Sequence, residues 1–77
     1  MNYRKLYETG KDRLEKAGIQ EAALDARLLL EEVCGTDRNT LLAHGDRAVT
    51  EEEETQFLIF IERRSTHEPL QQITGWQ

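Results

Sequence analysis

The sequence predicts an all-α fold: a small bundle of about five helices, two of them short, with no sheet. Three observations carry this. Apolar residues recur at helical spacing over long segments. Glycines and capping residues stand where those segments would stop and start. Strand formers are sparse, since Val33 and Val49 are the only valines and no alternating run exceeds a few residues. With 77 residues and 38% hydrophobic content, the chain has room for one domain around a thin core.

The first segment runs from about Asn2 to Ala17. Tyr3, Tyr7, Gly10, Leu14 and Ala17 recur at steps of four and three, with Leu6 beside them, and so mark one helix face. Asn2 is placed to serve as N-cap. Gly10 falls on the apolar face, where it costs about 1 kcal/mol relative to alanine. Close approach of a neighbouring helix would compensate. Gly18 is placed to turn left-handed after the helix, and Ile19 to touch Leu14 as in a Schellman ending.

The second segment spans about Glu21 to Cys34. Ala22, Ala26, Leu29 and Val33 form its stripe, and Ala23, Leu24, Leu28 and Leu30 widen it almost all the way round. Such a helix is expected at the centre of its bundle. Gly35 ends it. The third segment is short, about Asp37 to His44, with Thr36 or Asp37 as cap, Leu41 and Leu42 as anchors, and Gly45 as stop.

The fourth segment opens on a capping box, Thr50 followed three residues on by Glu53. Phe57, Leu58, Phe60 and Ile61 supply its buried side, and it runs to Arg64 or Ser65. The fifth begins at Glu68-Pro69, with proline suited to a first helical turn. Leu70 and Ile73 face the core, and Gly75 closes it. Breaks are therefore expected near Gly18, Gly35, Gly45 and His67.

Composition excludes several function classes. A cofactor-binding α/β domain or a barrel needs well over ~100 residues. The formal net charge of -5 makes the chain a poor partner for phosphate backbones. A helix-turn-helix reading through Arg38, Asn39 and Thr40 lacks a flanking basic stripe. The longest apolar stretches, Leu28-Leu29-Leu30 and Phe57 to Ile61, fall far below the ~18 residues of a membrane span. With one cysteine and no signal-like start, the expected location is the cytoplasm.

Residues that carry chemistry are few. Cys34, His44 and His67 are scattered and lack metal-ligand spacing. Cys34 ends an apolar helix and reads as a core or boundary residue. Glu51 to Glu54 occupy a helix first turn, where the helix dipole favours negative charge. No glycine-rich phosphate loop is present. Asp25 is more informative, because it lies between Leu24 and Ala26 on the most apolar segment. A carboxylate there needs a partner, and Arg27, Arg63 and Arg64 are the candidates.

Four local patterns, taken in order, resemble a known family. They are Ala17-Gly18-Ile19, then Asp25-Ala26-Arg27-Leu28-Leu29-Leu30, then a capped helix ending in Arg63-Arg64, then Glu68-Pro69-Leu70-Gln71-Gln72-Ile73-Thr74-Gly75. Together they resemble the N-terminal helical domain of the release-factor glutamine methyltransferases, the HemK/PrmC family. The Arg-Arg to Glu-Pro to Ile-Thr-Gly stretch is the most specific part. His67 stands where the family commonly has glycine, which would ease a left-handed turn, and Gln72 where an aromatic residue often sits.

The resemblance implies a larger enzyme. Its methyltransferase domain is of the Rossmann-like type, binds S-adenosylmethionine and holds the acceptor amide with an Asn-Pro-Pro-Tyr motif. The acceptor is the glutamine of the Gly-Gly-Gln loop in peptide-chain release factors. Neither that motif nor a cofactor loop occurs here, so no catalytic, cofactor-binding or metal residue is carried over, and the partner-binding residues are not identified. The expected organisation is a substrate-docking domain at residues 1–75, starting at Met1, with 76–77 as the start of a connector. Trp76 would then pack where the two domains meet. The alternatives are a free-standing helical interaction module and a small helix-turn-helix DNA-binding protein.

Overall fold

Asn2 begins the first helix by accepting from the Lys5 N–H at 2.8 Å, as its side chain predicts. The computed structural model describes residues 1–75, and within them five helices follow in order. They are α1 (Tyr3–Lys16), α2 (Ala22–Cys34), α3 (Arg38–Ala43), α4 (Glu51–Ser65) and α5 (Leu70–Thr74). No strand forms among the described residues. The connector expected at Trp76 and Gln77 lies outside them.

Helices α1, α2 and α4 pack against one another around Leu6, Leu14, Leu29, Leu30, Phe57 and Ile61, all essentially solvent-free. Gly10 is buried in the α1–α4 contact, where the Phe57 ring takes the space a side chain would fill. The α1 ending is the Schellman motif the sequence predicts. Gly18 has φ +80°, its N–H donates to Glu15 O, and the Ile19 N–H donates to Leu14 O at 3.0 Å. The Thr50–Glu53 capping box forms in both directions. Pro69 occupies the N-cap position of α5, one residue before the helical turn expected for it.

Three expectations about the core need correction. α2 is not apolar-buried all round: Ala23 and Leu24 are exposed and Leu28 is half-buried, because its partners cover one side only. Leu42 does not anchor α3; it is 71% exposed, while Leu41 one position back is the residue turned to the core. A six-residue helix offers its neighbour a single face, and ~100° per residue rotates Leu42 off it. In α4, Phe57 and Ile61 are buried but Leu58 and Phe60 only half so.

The α3–α4 connector ties down the N-terminus. The Tyr3 and Arg4 N–H groups, which lack partners within α1, donate to Arg47 O at 3.0 Å and Gly45 O at 2.9 Å. The Val49 N–H donates to Met1 O, and Asn2 and Ala48 form an isolated antiparallel bridge. Gly45 therefore does more than stop α3, since Arg4 lies directly over it.

The turn before Glu68 stays left-handed without glycine: His67 has φ +67°. That geometry costs a residue with a Cβ roughly 1–2 kcal/mol. Glycine removes the strain and returns part of the gain as unfolded-state entropy. His67→Gly is expected to stabilise the domain by about 0.5–1 kcal/mol, raising the melting midpoint by roughly 3–6 °C. A lower midpoint in a thermal scan would show that the His67 side chain contributes more than its backbone costs.

Candidate functional site

Motif residues distant in sequence converge on one polar joint. Asp25, only 4% exposed, accepts from Arg64 Nε at 3.0 Å, which links α2 to the end of α4. Arg64 Nη1 also donates to Glu68 O at 3.1 Å. Arg63 grips the Glu68 carboxylate with both Nε and Nη2 and reaches Gln72 O in α5. The Arg63 hydrogen bonds hold the Glu68 carboxyl below its usual range. Of the three arginines considered for Asp25, Arg64 takes it. Arg63 takes Glu68, and Arg27 pairs within α2 with Glu31 at 3.4 Å. Gln72 is exposed and enters the joint through its backbone carbonyl.

A second feature is a surface recess. α1, α2 and α3 enclose an open groove of about 330 Å³. Tyr3, Tyr7, Leu30, Leu41 and Leu42 give it apolar walls. Arg4, Arg27 and Arg38 border it, with Glu8 as the acidic member of the lining. Arg4 and Arg38 are exposed and make no ion pair among the described residues. No sequence pattern disclosed this groove. The basic residues of the first segment and Arg38 are visible as charges, but only the crossing of the helices brings them to one rim.

The candidate chemical residues stay apart, at three different helix ends. Cys34 closes α2, His44 caps α3, and His67 follows α4. Burial and the adjacent Glu53 carboxylate push the Cys34 thiol up to about 11, so it is protonated and unreactive at neutral pH. Burial also raises the Tyr3 phenol. Among the described residues, no group of three or more His, Cys, Asp or Glu side chains is arranged to hold a metal. No helix among them is long and apolar enough to cross a membrane.

The order of helices, the Schellman turn and the arginine joint run through nearly the whole chain, and so does a sequence match. The profile of the PrmC N-terminal domain covers residues 5–75. The chain belongs to the PrmC N-terminal domain family. It is 39% identical over 75 residues to the release factor glutamine methyltransferase of Deinococcus radiodurans, covering 97% of this chain and 27% of that protein. The corresponding protein of Caulobacter vibrioides is 35% identical over 71 residues, 92% of this chain and 25% of its own length. A bifunctional methyltransferase of Rickettsia typhi is 35% identical over 72 residues, 94% of this chain and 14% of its own. The chain thus spans about a quarter of the first two relatives. No solved structure matches it at a significant level. For a PrmC N-terminal domain, the Arg-Arg and Glu-Pro elements have a physical reading here: they bolt α5 to α2 and α4.

Proposed function

We propose that this chain is the docking domain of an S-adenosylmethionine-dependent protein-(glutamine-N5) methyltransferase acting on peptide-chain release factors. The observation that carries the reading is the match over residues 5–75 to a domain whose named relatives are release factor glutamine methyltransferases. In such an enzyme S-adenosylmethionine, bound outside this chain, would supply the methyl group that the glutamine amide nitrogen of the Gly-Gly-Gln loop takes up in exchange for a proton. An amide nitrogen is a weak nucleophile, so its alignment with the methyl group decides the rate. A separate surface that grips the protein substrate supplies binding energy away from the reacting atoms. In this reading residues 1–75 grip, residues 76–77 begin the connector to the methyltransferase domain, and the enzyme works in the cytoplasm. The Arg63 and Arg64 joint suits such a domain, because it holds α5, the last described helix, at a set angle to the bundle.

The chemistry is assigned elsewhere: this chain has no glycine-rich cofactor loop and no Asn-Pro-Pro-Tyr. Calorimetric titration of the 77-residue chain is expected to give saturable heat with a bacterial release factor and none with S-adenosylmethionine. Stoichiometric, micromolar binding of the cofactor would overturn the assignment. The reading frame beyond codon 77 provides an independent check. A frame continuing into a cofactor loop and Asn-Pro-Pro-Tyr agrees with the proposal, and a stop codon favours a free-standing interaction module.

A further inference from the structure

The groove between α1, α2 and α3 combines apolar walls with a basic rim. The chain carries a net charge of -5, yet three of the ten basic side chains border this one recess, against the single carboxylate of Glu8. Arg27 is engaged with Glu31. Arg4 and Arg38 are exposed and make no ion pair among the described residues. Their guanidinium groups are planar forks suited to carboxylates. Between them lies apolar surface, and Leu42 is the most exposed large hydrophobic residue of the described chain, at 71%. A partner covering this recess would take the Leu42 side chain out of water and offer the two guanidinium groups carboxylate acceptors.

The volume limits the occupant. About 330 Å³ lies at the lower end of the ~300–1,000 Å³ of ligand pockets, which admits a few side chains rather than a domain edge. An apolar floor requires apolar anchors, and the arginine rim requires anions beside them. A nucleic acid meets the second requirement but is repelled by the acidic remainder of the surface.

We infer that this groove is where the domain holds its protein partner, and that it takes a segment with one or two apolar anchor side chains flanked by Asp or Glu. The inference rests on the reading of the chain as a docking domain and names the surface for it. Leu41, Leu42 and Tyr7 receive the anchors, and Arg4 and Arg38 the carboxylates. Arg27, tied to Glu31, serves as a wall.

The test is calorimetric titration of a bacterial release factor into the 77-residue chain at 50 and 200 mM salt. Three variants are compared with the unaltered chain: the double Arg4→Glu/Arg38→Glu, Leu42→Asp, and Lys16→Glu. Lys16 is an exposed control paired with Asp12 within α1. All substituted positions are exposed, and unchanged helicity by circular dichroism confirms folding. The expected result is affinity that falls with salt. The double variant and Leu42→Asp should each lose tenfold or more, with Lys16→Glu near the unaltered value. A weaker salt dependence in the double variant is expected too. If the release factor binds and the groove variants bind it equally well, the groove is not the docking surface and the docking reading stands. If the release factor does not bind the unaltered chain at all, the docking reading fails and this inference fails with it.

Discussion

Gly10→Ala is expected to destabilise the domain by about 2 kcal/mol, although alanine is the better helix former. The two effects oppose each other. In an isolated helix the substitution would gain about 1 kcal/mol. Here the new Cβ would sit 2.5 Å from Phe57 Cζ, 2.7 Å from Phe57 Cε2 and 2.9 Å from Ile61 Cδ1. Both side chains are fully enclosed, so the ring has nowhere to move and α1 must shift from α4. Overpacking of this kind costs about 1–3 kcal/mol, and at such short distances the upper part of that range applies. A domain of this size holds roughly 4–11 kcal/mol in total, so the loss is a large share. Urea denaturation of the two chains measures it. In the double variant Gly10→Ala/Phe57→Leu the methyl group finds space. Its loss should fall clearly short of the sum of the single losses. Stabilisation by Gly10→Ala alone would mean that α1 and α4 do not approach as closely as the structure has them.

Asp25→Ala should cost about 3 kcal/mol. Asp25 is enclosed in α2, and its Oδ2 accepts from Arg64 Nε at 3.0 Å. Removing the carboxylate leaves a largely covered guanidinium with an unmet donor and an uncompensated charge. The Arg64 bond to Glu68 O survives, which limits the loss to the lower part of the ~3–5 kcal/mol range for broken buried pairs. Asp25→Asn keeps an acceptor oxygen and should lose less. Removing both ends, in Asp25→Ala/Arg64→Met, should restore part of the stability, because no charge is then stranded. Chemical denaturation of the set separates these outcomes. A loss within about 0.5 kcal/mol for Asp25→Ala would show that the pair does not pin α2 to α4.

Features that depend on neighbours in sequence could be read without coordinates. Asn2 and Thr50 cap because a side-chain oxygen three residues from an unpaired N–H has only one good partner. Gly18 and Ile19 close α1 because the Schellman bonds lie within six residues. Gly10 was legible as a packing position because glycine on an apolar helix face has few other uses. The need of Asp25 for a cation followed from its apolar surroundings. Which cation it finds did not follow. Arg27, Arg63 and Arg64 are equivalent as charges, and the choice of Arg64, 39 positions away, depends on how α2 crosses α4. The same limit explains Leu42. Periodicity shows that α3 has an apolar face, but the width of that face depends on how many helices cover it, and only α2 does so to any extent. The strap from 45 to 49 over the N-terminus, and the groove that gathers Arg4 and Arg38, have no local signature at all. Their parts meet only when the chain closes on itself. Helix positions and caps were therefore set by interactions spanning a few residues, whereas the ion-pair partners, the exposed leucine and the arginine-rimmed recess were decided by the tertiary packing of faces that are each degenerate in sequence.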